Sequence, residues 1–312
     1  MRCMPSKRDN ANEAVVAGVR ITHPDKVLWP AVKGAKAITK LDLARYYEAV
    51  APRMLPHIAG RPISMVRAPD GITGKRFFQR HALMGGGARF HLMKVKGETK
   101  PFLAADNVQA LVALAQAGVL EMHPWGAKKD DPETPARIVF DLDPAPDVEF
   151  DAVVAAAKEL RARLAACGLV PYVKTTGGKG MHVVVAIKGS PRGKLTWREA
   201  KDFAKAMCKL MERDSPKLYT TTLAKNARGG KIFLDFLRND RFASSVAPWS
   251  PRARDGAPVA MPLEWSKVKP SLDPKWFNVG NVRNWLKTAD PWKDLDKSAR
   301  SLEAAARNLM AK

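Results

Sequence analysis

The chain has 312 residues, 46% of them hydrophobic, which excludes wholesale disorder and allows one large domain or two small ones. Lys and Arg number 53 against 31 acidic residues, so the formal net charge is +22. This excess favours a polyanionic partner, because phosphate contacts release condensed counterions. The alternatives are a merely solubilising surface and an anionic membrane surface, and the second is disfavoured because the sequence has no lipidation motif.

The cysteines and the apolar runs bear on the cellular compartment. Cys3, Cys167 and Cys208 form no C-x-x-C pair, which argues against a zinc site or a disulfide framework and fits a reducing compartment. The N-terminus lacks the apolar core of a signal peptide, and no apolar run reaches about 18 residues. We therefore expect a cytoplasmic protein with no membrane partner.

The first part of the chain mixes strand and helix patterns. The predicted elements, in chain order, are a disordered start, a strand, a loop, a helix, a second strand and a second helix, at residues 1–14, 16–22, 23–36, 38–55, 63–69 and 106–118. Thr39 is the predicted N-cap of the first helix, and Gly118 is predicted to end the second. A basic, aromatic and then glycine-rich stretch, "KRFFQRHALMGGGARF", precedes the second helix.

The second part of the chain continues the same mixture. Strands are predicted at residues 137–143, 170–176, 181–187 and 231–237, and helices at 150–168, at 196–214 and from about 290 onward. Thr196 and Glu199 have the spacing of a capping box at the start of the second of these helices.

The order of these elements predicts an α/β fold with mixed sheets. No Pro/Gly/Ser-rich linker divides the chain, and no internal repeat is present. We therefore predict a single domain over residues 15–295. Within it, an N-terminal subregion of about 15–130 packs against a core of about 131–295, and a C-terminal helix or tail covers 296–312.

Two aspartates lie two positions apart in the strand "RIVFDLD". Because side chains alternate across a strand, Asp141 and Asp143 share one face while the intervening apolar side chains enter a core. Neighbouring carboxylates repel each other unless a cation lies between them, and oxygen ligands suit Mg²⁺ or Mn²⁺. The alternative is a pair of solvated aspartates at a strand end.

A third acidic residue lies in another apolar strand. Asp235 in "KIFLDFL" is flanked by apolar side chains that face the opposite way. Three carboxylates on strands are what a two-metal nucleotidyl-transfer site requires. The third aspartate therefore strengthens the metal-binding interpretation of the first two.

The segment "TTGGKGMHVVV" predicts a glycine turn between two strands. Backbone N–H groups in such a turn can bind phosphate oxygens, with Lys179 as a point charge and His182 close behind. The spacing matches neither a P-loop nor a dinucleotide fingerprint. The alternative is an ordinary hairpin turn with a structural histidine. His123, in "LEMHPWG", is predicted to lie in a loop before the aspartate strand, where a structural role is equally plausible.

These motifs together resemble the archaeo-eukaryotic primase superfamily, and more narrowly the polymerase domains of bacterial LigD end-joining ligases. The narrower resemblance is carried by "HPDKVLWP", "KRFFQRH", "LEMHPWG", "RIVFDLDP", "TTGGKGMHV", "FLDFLRNDR", "SSVAPWSPRARDGAPVAMPLEW" and "DPW". They occur in family order between residues of about 18 and 295. The resemblance implies a primase-type catalytic core with an RRM-like sheet.

The resemblance also implies roles for individual residues. The implied metal ligands, which would hold two Mn²⁺ or Mg²⁺ ions, are Asp141, Asp143 and Asp235. The implied contacts of the incoming nucleotide are His123, Thr176, Gly178, Lys179, His182, Arg241 and Phe78. The implied DNA contacts are Lys26 and Lys36 at a downstream 5′-phosphate, Phe77 at the template, and His23. The stretch "MGGGARF" matches a mobile loop that steers template strands.

Two positions depart from the family pattern. Thr176 stands where the family usually has Ser, so the hydroxyl is kept with an added methyl group. His23 stands where the family often has Asn. No ligase or nuclease motif accompanies the polymerase motifs, which fits either a stand-alone protein or one domain of a larger one.

The resemblance implies a metal-dependent, DNA-directed nucleotidyl transferase that fills short gaps in non-homologous end joining and prefers ribonucleotides. Its implied partners are DNA ends or gapped DNA with a 5′-phosphate, NTPs or dNTPs, Ku and an ATP-dependent ligase, near the bacterial nucleoid.

Three other functions remain open from the sequence. A primase-polymerase that starts chains de novo would share the same site. A D-x-D glycosyltransferase would need neither the third aspartate nor the charge of +22. A non-catalytic DNA-end-binding module would not need to keep all three carboxylates.

Overall fold

The computed structural model describes residues 12–82, 90–190 and 193–311. Its helices are α1 (Lys40–Ile58), α2 (Val108–Gln116), α3 (Phe150–Ala166), α4 (Trp197–Asp214) and α5 (Leu302–Met310). Its strands are β1 (Glu13–Val16), β2 (Val19–Thr22), β3 (Val27–Trp29), β4 (Ile38–Thr39), β5 (Ile63–Arg67), β6 (Phe77–Gln79), β7 (His91–Met93), β8 (Phe102–Ala104), β9 (Val119–Pro124), β10 (Ala127–Lys128), β11 (Asp131–Pro135), β12 (Arg137–Pro144), β13 (Pro171–Thr175), β14 (Met181–Lys188), β15 (Tyr219–Thr220), β16 (Ile232–Asp235), β17 (Pro262–Leu263) and β18 (Arg300–Ser301). This mixture confirms the predicted α/β class.

The N-terminal part is built around strand β5. This strand pairs antiparallel with β6, β8 and β9, and β7 extends the sheet beyond β8. Helices α1 and α2 pack against each other, and α2 also packs against β9. The sheet brings Phe77 and Phe78 on β6 and His123 on β9 into the same part of the molecule.

A larger sheet forms the second part, with the strand order β15–β16–β12–β14–β13–β17. Strands β12, β14 and β13 are antiparallel to their neighbours, and β16 is antiparallel to β12. The short strand β18 adds a parallel pairing at the end of β14. The sheet therefore places the D-x-D strand β12 at its centre, between the glycine-turn strand and the strand of the third aspartate.

The two faces of this sheet differ in chemistry. Ile138, Phe140 and Leu142 are at most 1% exposed and join the main hydrophobic core with helices α3 and α4. On the other face, Val139 belongs to a small cluster covered by Trp292, whose indole Nε1 donates to Val173 O at 3.0 Å. The alternation predicted for β12 is confirmed, and the remaining part of the second face is left to the acidic residues.

The predicted helix starts are confirmed at α1 and α4. Thr39 and Thr196 accept hydrogen bonds from the backbone N–H groups three residues later, and Asp42 and Glu199 accept from the two N-cap backbones in return. Each cap stabilises its helix by about 1 kcal/mol. Gly118 ends α2 with a positive φ of 73°, as predicted.

The strand predicted at residues 16–22 is wrong, because the segment turns back on itself. Ala17 and Gly18 have φ values of 45° and 73° and connect β1 to β2 as a tight hairpin. Positive φ at two successive positions gives the twist that two-residue hairpin turns require. The predicted disorder is also wrong for Glu13 and Ala14, which lie in β1, while residues 1–11 lie outside the described part.

Three further predictions of local structure are corrected. The predicted loop at 23–36 contains β3, which pairs with β4. Helix α2 begins after Asn107, whose side chain accepts from Ala110 N, whereas Asp106 accepts from Gly60 N instead. The C-terminal helix begins at Leu302 and not near residue 290, because the preceding segment forms turns around the buried Trp292. Among the described residues, no helix combines the length and apolar character needed to cross a bilayer.

Candidate active site

Four ionisable residues form a row across the larger sheet. Lys174 on β13 is paired in register with His182 on β14, His182 with Asp141 on β12, and Asp141 with Asp235 on β16. Register partners in a sheet project to the same face with Cβ atoms about 5 Å apart. The row therefore places two of the predicted metal ligands and one predicted nucleotide contact side by side.

Asp141 and Asp235 share one cationic partner. The Arg238 Nε atom lies 3.4 Å from Asp141 Oδ2 and 3.2 Å from Asp235 Oδ2. Burial raises the pKa of Asp235 above its ordinary value, and the charge of Asp141 adds to this against the opposing effect of Arg238. The Asp141 side chain is 14% exposed, and although partial burial would raise its pKa, His182 and Arg238 hold that pKa below the usual range. The two carboxylates thus lie close enough together to share one cation.

Arg238 is held near the carboxylates by the neighbouring asparagine. The Asn239 side chain accepts from Val139 N at 2.7 Å and donates to Val139 O at 2.8 Å, and so replaces a strand partner for β12 where β16 has ended. This bond pair turns the chain after Asp235 into a short 3₁₀ segment, which directs Arg238 back toward the aspartates.

Asp143, the third predicted ligand, lies nearer to solvent. Its side chain is 42% exposed, and its Oδ1 atom lies 3.4 Å from Lys179 Nζ. The Arg228 guanidinium approaches its other oxygen to 4.0 Å while stacking on Phe233. Asp143 therefore joins the aspartate row to the glycine turn.

The other members of the row are buried bases whose pKa values are lowered. Burial, and then Lys174, lower the pKa of His182 to about 4, so its ring is neutral near pH 7. Its Nε2 atom lies 3.3 Å from Asp141 Oδ1. Lys174 is only 2% exposed, and burial, followed by Arg252, lowers the pKa of its amine. Within the described residues, its Nζ atom has no hydrogen-bond partner.

The glycine turn between β13 and β14 is tight. Thr176 N and Thr176 Oγ1 both donate to Gly180 O, at 3.1 and 3.0 Å. Gly177 has a φ of 66°, and a Cβ atom there would lie 2.7 Å from Arg252 Cγ. A Cβ atom at Gly178 would lie 3.3 Å from the Arg254 guanidinium. Side chains would push these arginines away, so the glycines allow cations to lie against the turn.

A cleft of about 240 Å³ joins Asp141 and Asp143 to this turn, whereas Asp235 lies outside its described lining. The predicted site residues that line it are His123, Asp141, Asp143, Thr176, Lys179 and His182. Three arginines also line it, namely Arg238, Arg252 and Arg254. The R-x-R spacing in "SPRARDG" is a sequence signal for Arg252 and Arg254, although no nucleotide contact was predicted for them.

Arg241, predicted to contact a triphosphate, lies elsewhere. Its Nε atom donates to Glu133 Oε2 at 2.8 Å, its Nη2 atom donates to Lys96 O at 2.8 Å, and its guanidinium stacks on Phe242. Arg241 is absent from the described lining of the cleft, which includes Arg238.

His123 lies at the other wall of the cleft. It is on strand β9 and not in a loop as predicted, because β9 pairs with β5 continuously from Glu121 to Pro124. Its Nε2 atom lies 2.9 Å from Glu121 Oε2, and its ring meets Phe78 edge-on at 6.1 Å between centroids. Phe77 and Phe78 are 42% and 58% exposed, so both rings are available for stacking.

The predicted DNA contacts near the N-terminus lie outside the described lining of the cleft. Lys26 Nζ donates to Asp70 Oδ1 at 2.6 Å, and Lys36 is exposed. His23 has a φ of 51° and its carbonyl accepts from Lys26 N, so it shapes the turn that presents Lys26. Of the predicted template loop "MGGGARF", all but the final Phe90 lies outside the described residues.

The donor set suits a hard divalent cation in its chemistry, because all three aspartates offer oxygen ligands only. In the described conformation, however, no group of three or more His, Cys, Asp or Glu side chains is arranged around one point. Arg238 and Lys179 instead lie 3.2 to 3.4 Å from the carboxylate oxygens. A bound cation would have to displace Arg238, whose side chain is 44% exposed and able to move.

The chain is similar to known proteins in sequence. A family model described as the LigD primase-polymerase domain matches residues 39–292. The chain is 34% identical to the multifunctional non-homologous end joining protein LigD of Pseudomonas aeruginosa over 97% of its own length, and 34% identical to that of Mycolicibacterium smegmatis over 80%. It spans only about a third of these curated relatives, 36% and 32% of their lengths.

A solved structure is also similar. The polymerase domain of Mycobacterium tuberculosis ligase D, in complex with DNA, matches with a TM-score of 0.81 and 31% sequence identity. The match covers 90% of this chain and 99% of that domain. The resemblance inferred from the sequence motifs, and the primase-type fold that it implied, are thereby confirmed.

Proposed function

The chain belongs to the LigD primase-polymerase domain family, and from that membership we propose that it is a DNA-directed nucleotidyl transferase that extends DNA ends and fills short gaps in end joining. The observation that carries the proposal is the cleft in which Asp141 and Asp143 meet the glycine turn and three arginines, with Asp235 paired directly behind Asp141 on the next strand. A non-catalytic DNA-end-binding module would have no use for opposed buried carboxylates, which are costly to keep.

Asp141, Asp143 and Asp235 are the residues that would hold the divalent cations, two of them, Mn²⁺ or Mg²⁺. When bound, such ions activate the attacking hydroxyl and stabilise charge on the transferred phosphoryl group. The chain itself fixes the backbone of these ligands on two paired strands, so that the displacement of Arg238 leaves their positions in the sheet unchanged. Arg238, once displaced from the carboxylates, is free to bind a phosphate oxygen.

The triphosphate would lie along the glycine turn. Lys179, Arg252 and Arg254 supply positive charge at one wall of the cleft, and charge-assisted hydrogen bonds to phosphate are short and strong. The neutral His182 ring adds polar contact without adding charge. The turn backbone at Gly178 is close enough to Arg254 for both to hold the same phosphate group.

The sugar and the base would be held at the opposite wall. His123 lines the cleft there, and Thr176 supplies a hydroxyl from the turn. Phe78 offers an exposed ring next to His123, and Phe77 offers a second ring for a template base, since base stacking on aromatic rings is worth about 1–3 kcal/mol. Polar side chains such as His123 and Thr176 beside the sugar could bind its 2′-hydroxyl, which supports a preference for ribonucleotides.

The basic surface at Lys26 and Lys36 would hold the 5′-phosphate of the downstream strand, with His23 shaping the turn. An exposed lysine pair away from the cleft is suited to a second DNA strand and not to the nucleotide. Ku and a ligase are proposed partners in the joining reaction, as the names of the curated relatives describe end-joining proteins.

Primer extension on a gapped duplex with a 5′-phosphate tests the proposal. NTPs and dNTPs are compared at equal concentration, each with Mn²⁺ and with Mg²⁺, and an unprimed single strand serves as the template for de novo synthesis. Metal-dependent extension of the primer, faster with NTPs, is expected. Product from the unprimed strand alone would favour a priming enzyme, and no product with any substrate would overturn the proposal.

A further inference from the structure

Glu121 is a buried carboxylate beside the cleft whose role the sequence motifs did not indicate. Only 6% of it is exposed, and it lies on β9 on the same face as His123. Its Oε2 atom lies 2.9 Å from His123 Nε2 and 3.0 Å from Arg252 Nε, and its Oε1 atom accepts from Ala253 N at 2.8 Å. One carboxylate therefore contacts two cleft-lining side chains and the backbone next to Arg252.

This carboxylate is ionised near neutral pH. Burial alone would raise its pKa, but the hydrogen bond from His123 and the charge of Arg252 outweigh burial and lower the pKa to about 2. An ionised carboxylate can only accept hydrogen bonds. Its contact with His123 therefore requires a proton on the Nε2 atom of the ring.

The protonated Nε2 atom determines what the other ring nitrogen can do. Burial lowers the pKa of His123, so the ring is neutral near pH 7 and Nδ1 keeps its lone pair. Within the described residues, the ring makes no other hydrogen bond. His123 thus presents an acceptor, on a ring that lines the cleft, and an acceptor binds a hydroxyl donor such as that of a sugar.

The same carboxylate also fixes the phosphate wall of the cleft. Arg252, whose Nε forms an ion pair with Glu121 without a hydrogen bond there, donates from Nη1 to Thr176 O at 2.5 Å. The sugar-side histidine and the turn that carries Thr176 and Lys179 are thereby tied to one anchor. A shift of Glu121 would move both walls together.

We propose that Glu121 is a positioning residue that fixes the Nε2–H tautomer of His123, so that His123 accepts a hydrogen bond from the ribose 2′-hydroxyl and the site discriminates against deoxynucleotides. This inference rests on the proposed polymerase function and names the device behind its nucleotide preference. Glu121 itself does not line the cleft, so its effect passes through His123 and Arg252.

The first measurement is the tautomer itself in the full-length wild-type chain. Two-bond ¹H–¹⁵N correlation spectra of ¹⁵N-histidine-labelled protein distinguish the two tautomers, and the His123→Ala spectrum assigns the signal. The expected result is an Nε2–H pattern for His123 at pH 7. An Nδ1–H pattern would overturn the proposal, and this measurement does not depend on the folding of any Glu121 variant.

The second measurement is the ratio of kcat/KM for NTP over dNTP on a primed template. Glu121→Gln should lower this ratio by about tenfold, which is the effect of losing one well-placed hydrogen bond. His123→Ala should lower it similarly, and the double variant should lower it no further. Glu98→Gln is the matched control, because Glu98 pairs with His81 Nε2 at 3.0 Å outside the described cleft lining.

The outcomes separate this proposal from the proposed function. Unchanged discrimination in Glu121→Gln, or equal loss in Glu98→Gln, would overturn the role of Glu121 while polymerase activity stands. Equal use of NTPs and dNTPs by the wild type would overturn it as well. If the wild type extends no primer with any nucleotide, the proposed function itself fails.

Discussion

Asp141 and Asp235 are directly opposed across the antiparallel strands β12 and β16, and Arg238 bridges them. Two carboxylates at opposed positions of a sheet repel each other, and the sheet tolerates them only with a shared cation. In the described structure the shared cation is a guanidinium, which a metal ion can replace. The first prediction follows from this relationship.

Asp141→Asn and Asp235→Asn should each lower primer extension by several orders of magnitude, because an amide is a poor ligand for a hard divalent cation. DNA binding should persist, since the basic surface is unchanged. Extension rates and DNA affinity are measured for both variants. Asp202→Asn, an exposed change on α4 where Asp202 pairs with Arg198, is the control. Wild-type extension by either active-site variant would contradict the metal-ligand assignment.

Lys179→Ala and His182→Ala should weaken NTP binding by about tenfold or more, because charge-assisted contacts to the triphosphate are lost. Binding of DNA alone should change little. Both affinities are measured by titration with fluorescent ligands, with the exposed Lys158→Ala on α3 as the control for a lost lysine charge. A parallel loss of NTP and DNA affinity would indicate a folding defect in place of a triphosphate site.

Removal of the downstream 5′-phosphate should weaken wild-type binding to a one-nucleotide gap, and the effect should shrink as salt rises because exposed lysine–phosphate contacts are screened. The Lys26→Ala/Lys36→Ala variant should be nearly insensitive to the phosphate. Binding of both proteins to both duplexes is measured at two salt concentrations as a double cycle. If the variant discriminates as strongly as the wild type, the phosphate site lies elsewhere.

The buried ring of His57 should make stability depend on acid pH. Burial, then Arg137, lowers its pKa from 6.5 to about 3 in the folded chain, and within the described residues neither ring nitrogen has a hydrogen-bond partner. Between these values only the unfolded chain takes up the proton, so stability falls as pH decreases from 6.5 toward 3. The expected loss for this one group from pH 7 to pH 5 is about 2 kcal/mol.

Denaturant titrations of wild type and His57→Phe at pH 7 and pH 5 measure this loss. Phenylalanine fills the same space without a titrating group, so the variant should lose about 2 kcal/mol less than the wild type over this interval. His91→Phe, at a half-exposed position, should behave as the wild type does. Equal pH dependence of wild type and His57→Phe would show that His57 takes up its proton without unfolding.

The sequence predicted correctly which side chains share a face of a strand, but it did not predict which strands lie next to each other at the site. A period-two pattern determines the face of each side chain, so the shared face of Asp141 and Asp143 was correct. The same pattern does not indicate which strands are neighbours in the sheet, so the pairing of β12 with β16 could be seen only in the structure. The metal and nucleotide roles of these residues remain predictions.

The errors have local physical causes. Ala17 and Gly18 form a hairpin turn. Because Ala-Gly is a weaker turn signal than Asn-Gly, the sequence predicted one continuous strand through these two residues. Arg238, for which no role was predicted, reaches the aspartates because β16 ends at Asp235 and the chain bends into a 3₁₀ segment. Neither the hairpin at Ala17 and Gly18 nor the bend after Asp235 gives a periodic pattern of hydrophobic residues that would reveal it in the sequence.

The link between Asn239 and Val139 has a consequence for the order in which the protein folds. Their two hydrogen bonds close a loop of 100 positions, whereas β13 and β14 are joined by a turn of a few residues. Closing a long loop costs more entropy than closing a short one, so the hairpin forms early and β16 docks late. During synthesis, the opposed aspartates can meet only after the Asn239 segment has left the ribosome, and until then the nascent chain lacks the paired carboxylates that we propose as metal ligands.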